Sequence, residues 1–317
     1  VSGQKTTASA APVVEVAAAV IEHADGSFLL AQRPHGKPYA GYWEFPGGKI
    51  EAGESPGAAL ARELEEELGI AVTQAYPWIT RVYAYTHATV RLHFFRVVSW
   101  EGEPHGRENQ AFAWQRAGLE SVSPMLPANA PILAALALPK IYAISNASDG
   151  AAAFLERLDS ALERGLRLIQ FREKAMPETA ARALLDAVLQ RARRRGARVL
   201  VNSAHAFARE GVADGVHLTA ADLLAATVRP VGLCGASCHD AKELAQAAAL
   251  GCDFSVLGPV APTASHPGGQ VLGWAAFTDL VAGMPLPVYA LGGMHQHDLA
   301  ASWRHGAHGI AMMRAVW

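Results

Sequence analysis

The stretch GGKIEAGESPGAALARELEEELGI, Gly47 to Ile70, decides how the first half of this chain is read. At about 100° per residue, Leu60, Leu64 and Leu68 fall on one helical stripe. Glu63, Glu66 and Glu67 fall within roughly a 100° arc beside it, while Glu65 points elsewhere. Carboxylates crowded on one arc repel each other, and Arg62 is the cation at hand to offset them. A solvated acidic face is one account of the pattern. A site for a hard divalent cation is the other, because Mg²⁺ takes carboxylate oxygens together with phosphate oxygens. The Gly47-Gly48 pair lets backbone approach a ligand closely.

The spacing decides between them. Gly48, Glu54, Arg62, Glu63, Leu64, Glu66, Glu67, Gly69 and Ile70 match the Nudix box, Gly-x5-Glu-x7-Arg-Glu-U-x-Glu-Glu-x-Gly-U, at every fixed position. Residues 12–138 thus resemble a Nudix hydrolase, which implies an α+β Nudix fold. The run Tyr42-Trp43-Glu44-Phe45-Pro46 before the box is similar to MutT-type enzymes, which hydrolyse oxidised purine nucleoside triphosphates such as 8-oxo-dGTP. So are WEGEPHGREN, which carries Glu108, and LPANAPIL, which carries Asn129. The resemblance implies Mg²⁺, or Mn²⁺ in its place, held by Glu63, Glu66, Glu67, Glu108 and the carbonyl region of Gly48. It implies Glu63 or Glu108 as the group that takes a proton from water. Arg62 then orients Glu63 and Glu54 supports the metal site. Arg33 and Phe45 are implied at the nucleotide, and Asn129 at the purine edge, a task its paired donor and acceptor suit. As an alternative, Asn129 caps the short helix that begins near Pro131.

Outward from the box, strand-like runs at Val13–Ile21, Phe28–Gln32, Ile79–Tyr85 and Thr89–Trp100 are rich in β-branched and aromatic residues. The helix is expected over Ser55–Leu68, and a shorter one over Ile132–Leu138. Near residue 139 the pattern changes. Eight apolar runs follow: Ile141–Ile144, Leu166–Phe171, Arg198–Val201, Gly215–Leu218, Val231–Ala236, Phe254–Leu257, Val288–Leu291 and Gly309–Met312. Helical segments such as Ala151–Arg164, Glu178–Arg195, Ala241–Leu250 and Asp298–His305 separate most of them. Such alternation predicts an α/β TIM-type (βα)8 barrel over residues 139–317, with its last helix missing. That gap calls for cover, from the other domain or from a second subunit in a homo-oligomer.

The second half resembles thiamine phosphate synthase and its relative TenI. IQFREK holds Gln170, Arg172 and Lys174, alternating positions at a strand end where cations suit a pyrophosphate. The resemblance implies Mg²⁺ at Asp222, with Asn202, Thr263, Gly292 and Gly293 at a thiamine-related small molecule. Departures are as informative. Ser203 stands where the family carries a metal carboxylate, Ser265 replaces a threonine, His266 replaces a lysine, and the phosphate loop after the last strand reads AMMRAV. Three readings of the barrel stay open: a divergent synthase, a TenI-like enzyme with His239 as acid–base, or a silent interaction module.

Composition bounds the rest. The chain has 317 residues, 51% hydrophobic and 18% charged, which fits globular domains. A net charge of −2 excludes a generally basic nucleic-acid coat. Three cysteines without metal spacing argue against a disulfide scaffold or a zinc centre. His239, His266 and His295 read as loop histidines, buried Cys238 as inert, and Arg191–Arg195 as cations closing a helix C-terminus. No run is apolar enough to span a membrane, residues 1–11 read as a disordered tail, and the default location is the cytoplasm. For the whole chain, nucleotide hydrolysis competes with a thiamine-pathway pyrophosphate hydrolase and with a non-catalytic nucleotide sensor.

Overall fold

The computed structural model describes residues 13–108, 110–263 and 270–317. Contacts divide the chain into two compact units. One runs to Ala130 without Tyr76–Ile79; the other holds Tyr76–Ile79 and Pro131–Trp317. The expected tail, Ser265 and His266 lie outside the described residues.

In the first unit β1 (Val14–Ile21) and β2 (Phe28–Gln32) are followed by the short β3 (Trp43–Glu44) and β4 (Gly47–Lys49). Helix α1 (Pro56–Leu68), long strands β5 (Ala71–Ala84) and β6 (Thr89–Glu101) and β7 (Phe112–Gln115) complete it, and α2 (Ala130–Leu136) falls, after its first residue, in the second unit. One sheet has the order β4-β1-β6-β5 and the other β3-β2-β7. Parallel pairing of β1 with β6 and antiparallel pairing with β4 bring Gly48 opposite Ala17. The expected stripe is the buried one: Leu60, Leu64 and Leu68 pack with Ala17, Ala19, Ile21 and Leu29. Each buried leucine contributes about 2 kcal/mol. Ser55 lies outside the helix as its N-cap, accepting from the Ala58 amide at 3.2 Å, and Gly69 closes it in the left-handed region with φ 67°.

The second unit is a closed barrel of eight parallel strands. They are β8 (Ile141–Ile144), β9 (Leu168–Phe171), β10 (Arg198–Asn202), β11 (Gly215–Leu218), β12 (Leu233–Cys238), β13 (Phe254–Leu257), β14 (Val288–Leu291) and β15 (Gly309–Met312). Outside run α3 (Ala151–Glu163), α4 (Glu178–Arg194), α5 (Ala220–Ala225), α6 (Ala241–Leu250), α7 (Gly273–Val281) and α8 (Leu299–Arg304). Two expected strands shift. The second begins at Leu168, after Gly165 turns the chain with φ 99°, and the fifth spans Leu233–Cys238 because Gly232 still turns at φ 82°. The short helix of the first half starts at Ala130 and stops at Leu136, before Pro139. After β15 the chain makes a turn and no helix. Val316 and Trp317 pack onto the barrel's apolar clusters there. The Trp317 ring meets Phe154 of α3 edge-on, centroids 5.0 Å apart, and its Nε1 donates to the Ile144 carbonyl at 2.9 Å.

Leu168, Leu200, Tyr142, Phe254 and Tyr289 fill the bore. Small residues make room. A Cβ on Gly235 would lie 2.6 Å from the Phe254 ring and 2.8 Å from His217 Nδ1. No helix among the described residues is long and apolar enough to cross a membrane.

Candidate active site

The box residues meet where β4 passes α1. Gly47 has φ 141°, and a Cβ there would sit 2.1 Å from the Ala17 carbonyl. A Cβ on Gly48 would lie 2.1 Å from the Glu63 carboxyl carbon, so the missing side chain is the space Glu63 occupies. Arg62 is the organiser. It donates to both Glu54 oxygens at 3.1 and 2.9 Å, to Glu63 at 2.9 Å, to Glu66 at 3.4 Å and to the Lys49 carbonyl at 3.1 Å. Its bonds hold the Glu54 carboxyl below the usual carboxylate range, with the Glu51 amide helping. The four carboxylates do not act alike. Glu66 is the open one, 62% exposed, whereas Glu63 is 16% exposed. Glu67 turns the other way and accepts from the Gly47 amide at 3.3 Å. Burial pushes its pKa up to about 7.

Strand β3 places the remaining predicted groups. Asn129 is buried and donates from Nδ2 to the Trp43 carbonyl at 3.0 Å, a long-range bond rather than the helix cap weighed as its alternative. Glu44 faces Arg33, which donates to both its oxygens at 2.6 and 2.5 Å. Burial raises the Glu44 pKa and Arg33 opposes the rise. Phe45 is buried against Phe28 and Phe94. Glu108 does not join the box carboxylates directly; it pairs with Lys37 at 2.9 Å. Glu44 and Lys37 escaped sequence reasoning. Glu44 stood inside a quoted motif but gave no hint of its partner, because the bond with Arg33 follows from the β2–β3 pairing.

All donors here are oxygens, and the desolvated Glu67 gains from a cation, so the set fits a hard divalent ion. Among the described residues no three His, Cys, Asp or Glu side chains already form a cage. Arg62 holds Glu54 and Glu63 on one guanidinium, while Glu108 is paired with Lys37.

In the barrel, Gln170 and Asn202 point into the bore, both buried, with Asn202 Nδ2 donating to Gln170 Oε1 at 2.9 Å. Gln170 donates to the Tyr142 hydroxyl at 3.3 Å. That hydroxyl lies 3.0 Å from His217 Nδ1, and His217 Nε2 lies 2.9 Å from Ser237 Oγ. Burial, with Arg172 nearby, presses the His217 pKa down to about 3, so its imidazole is neutral. This chain of groups was not foreseen. Its members lie up to 95 residues apart (Tyr142 to Ser237), and only closure of the barrel joins them. Arg172 and Lys174 are not on the strand, which ends at Phe171; they follow it at the carboxyl end of the barrel. Asp222 accepts from Ser203 Oγ at 2.5 Å and from Thr219 Oγ1 at 2.7 Å, which hold its pKa down. Thr263 lies in the segment after β13. Gly292 (φ 105°) and Gly293 (φ 64°) follow β14, packed so tightly that a Cβ on Gly292 would meet Pro259 at 2.6 Å.

The other weighed residues have structural roles. Arg191 and Arg195 pair with Asp159 and Glu163 of α3 at 3.2 and 3.0 Å. Cys238 is buried, with its thiol pKa pushed up to about 12 by that burial. His239 bonds Glu243 at 2.9 Å.

The two architectures define a two-domain protein: an α+β hydrolase fold with a carboxylate helix, then an eight-stranded parallel barrel with its polar rim at the strand ends. Comparison with known families agrees. The NUDIX domain matches residues 12–136, and thiamine monophosphate synthase matches residues 141–316. The chain belongs to the thiamine monophosphate synthase family and carries in front of it a Nudix hydrolase domain homologous to 8-oxo-dGTP diphosphatases. The 8-oxo-dGTP diphosphatase of Haemophilus influenzae is 39% identical over 121 residues, 38% of this chain and 89% of that protein. The CTP pyrophosphohydrolase of Escherichia coli is 41% identical over 123 residues, 39% of this chain and 90% of that protein. A protein of Aquifex aeolicus with the provisional name thiamine-phosphate synthase 2 is 32% identical over 177 residues, 55% of this chain and 95% of that protein.

Proposed function

We propose that the first unit hydrolyses oxidised purine nucleoside triphosphates, 8-oxo-dGTP among them, to the monophosphate and pyrophosphate. The observation that carries this reading is the position of Asn129. It is buried and fixed by the Trp43 carbonyl, on the strand that also presents Glu44 to Arg33 and leads into Gly47-Gly48. An amide carries a second N–H and a carbonyl oxygen, the complement of a purine edge. Such a position suits a base at Asn129 with the phosphates toward α1.

Glu63, Glu66 and Glu67, with Glu108 and the Gly48 carbonyl, would hold Mg²⁺ or Mn²⁺. The chemistry that a bound ion supplies is neutralisation of charge on phosphoryl oxygens and acidification of water. Arg62 fixes Glu63 by a charge-assisted bond, so that Glu63 keeps a defined carboxylate oxygen toward the site. Glu63 or Glu108 takes the proton from the attacking water. Glu54 holds Arg62 in place. For the barrel we propose a thiamine-related small molecule held at the strand ends by Gln170, Arg172, Asn202, Thr263, Gly292 and Gly293.

The identity to a CTP pyrophosphohydrolase favours a second reading, in which a cytosine nucleotide is the substrate. The test is hydrolysis of 8-oxo-dGTP, dGTP, CTP and thiamine pyrophosphate with Mg²⁺, wild type against Glu66→Gln. Glu66-dependent preference for 8-oxo-dGTP supports the first reading and preference for CTP the second. Preference for thiamine pyrophosphate overturns both.

A further inference from the structure

The rim of the barrel carries its charges the wrong way round for a metal site. Two carboxylates lie there: Glu173, between Arg172 and Lys174, whose oxygens accept from the Ala147 amide at 3.2 and 3.1 Å, and Asp222, whose Oδ2 already accepts from two hydroxyls, Ser203 at 2.5 Å and Thr219 at 2.7 Å. Ser203 is itself fixed, because its Oγ accepts from the Thr219 amide at 2.9 Å. Arg172 and Lys174 follow β9, and Arg209 ends the short helical turn Ala206–Arg209 after β10, at the same end of the barrel. Arg209 and Lys174 both act on Asp222, and Lys174 also feels Arg172. The backbone amide of Arg172 donates to Ser145 Oγ at 2.8 Å. No side-chain hydrogen bond or ion pair joins the Arg172 guanidinium or the Lys174 ammonium to the other described residues. A divalent ion at Asp222 would meet one carboxylate with one of its two oxygens already engaged, and neighbouring positive charges. An anion at the same place would meet donors with charge to spare.

We propose that Asp222 with Ser203 and Thr219 does not fit a divalent cation, so that a phosphate at the expected Arg172 and Lys174 is met with no metal between, and that Ser203 is the residue that makes it so. The inference deepens the reading of the barrel as the binder of a thiamine-related molecule and rests on it. Ser203 donates a proton to Asp222 where a second carboxylate would repel it. Replacing that hydroxyl by a carboxylate puts two like charges within hydrogen-bond distance, a pair that only a cation reconciles.

The probe is inorganic pyrophosphate, titrated calorimetrically into the full chain in EDTA. Under EDTA the carboxylates of the first unit repel the anion, so heat reports the barrel. Wild type is expected to bind, and Arg172→Ala to bind roughly ten-fold or more weakly, the loss of one charge-assisted partner. Ser203→Asp is expected to lose binding in EDTA and to regain it with Mg²⁺. Unchanged circular dichroism and an unchanged urea unfolding of the barrel show that it folds. Binding by wild type only when Mg²⁺ is present, and lost in Arg172→Ala, overturns the inference and leaves the ligand reading intact. Equal binding by wild type and Arg172→Ala in both conditions overturns the inference and the ligand reading together. Ser203→Asp binding like wild type in EDTA overturns the role given to Ser203.

Discussion

The two units of this chain are charged in opposite senses where each is expected to meet phosphate. Around Gly47-Gly48 the carboxylates Glu44, Glu54, Glu63, Glu66, Glu67 and Glu108 outnumber Arg33, Lys37 and Arg62. At the barrel rim Arg172, Lys174 and Arg209 outnumber Asp222 and Glu173, the latter already held by the Ala147 amide. A carboxylate-rich cleft meets a polyphosphate only through a cation, whereas a cation-rich rim needs none. The fold of a unit does not settle this; the barrel's family resemblance points to a metal, and the proposal made for Ser203 turns on one hydroxyl.

The largest effect expected on the acidic side of this contrast is from Glu66→Gln. Losing the most open carboxylate should lower nucleotide turnover by about a hundred-fold or more, read as kcat with saturating Mg²⁺. Full turnover in that variant would dissolve the contrast. On the barrel side, Trp317→Ala removes the edge-on contact with Phe154 and the N–H bond to the Ile144 carbonyl. It should destabilise the barrel by about 2–3 kcal/mol in urea unfolding, with nucleotide hydrolysis retained. His217 gives the pH test. Its folded pKa lies below the unfolded value near 6.5, so the stability it contributes is present above pH 6.5 and is lost as pH falls toward 3. Between pH 7 and pH 5 the wild type should lose up to about 2 kcal/mol more than His217→Gln; parallel pH profiles would contradict a neutral buried imidazole. Next comes Asn129→Ala, for which discrimination between 8-oxo-dGTP and dGTP should fall roughly ten-fold in kcat/KM, the worth of one base-edge contact. Unchanged discrimination would move base recognition elsewhere. The smallest effect belongs to Arg195→Ala, whose exposed pair with Glu163 should change stability by less than about 0.5 kcal/mol.

Legibility in the sequence followed how local each feature is. Ile141–Ile144, Gly215–Leu218, Phe254–Leu257, Val288–Leu291 and Gly309–Met312 form at the expected bounds, because strands buried on both faces read as unbroken apolar runs between turns. β5 is twice as long as its expected run, because Thr73, Gln74 and Pro77 hide its first half. β7 went unseen, since four residues offer too little alternation to read. The box is a single helix and its preceding turn, so the resemblance it carries gave Arg62 to Glu63, a bond the structure has, while the pair of Arg62 with Glu54 was not foreseen. Pairings such as Arg33 with Glu44, Lys37 with Glu108 and Ser203 with Asp222 depend on separate elements meeting. Sequence held the residues and withheld the partners.

Gly235 sets a boundary on what this barrel can become. With no side chain of its own, it lets His217 and the Phe254 ring share the bore, and any larger residue there would evict one of them. The interior is thereby fully let, with tyrosines and phenylalanine as permanent tenants. New chemistry on this scaffold has a single address, the loops at the strand ends, where one residue exchanged at position 203 already reads as a change of trade.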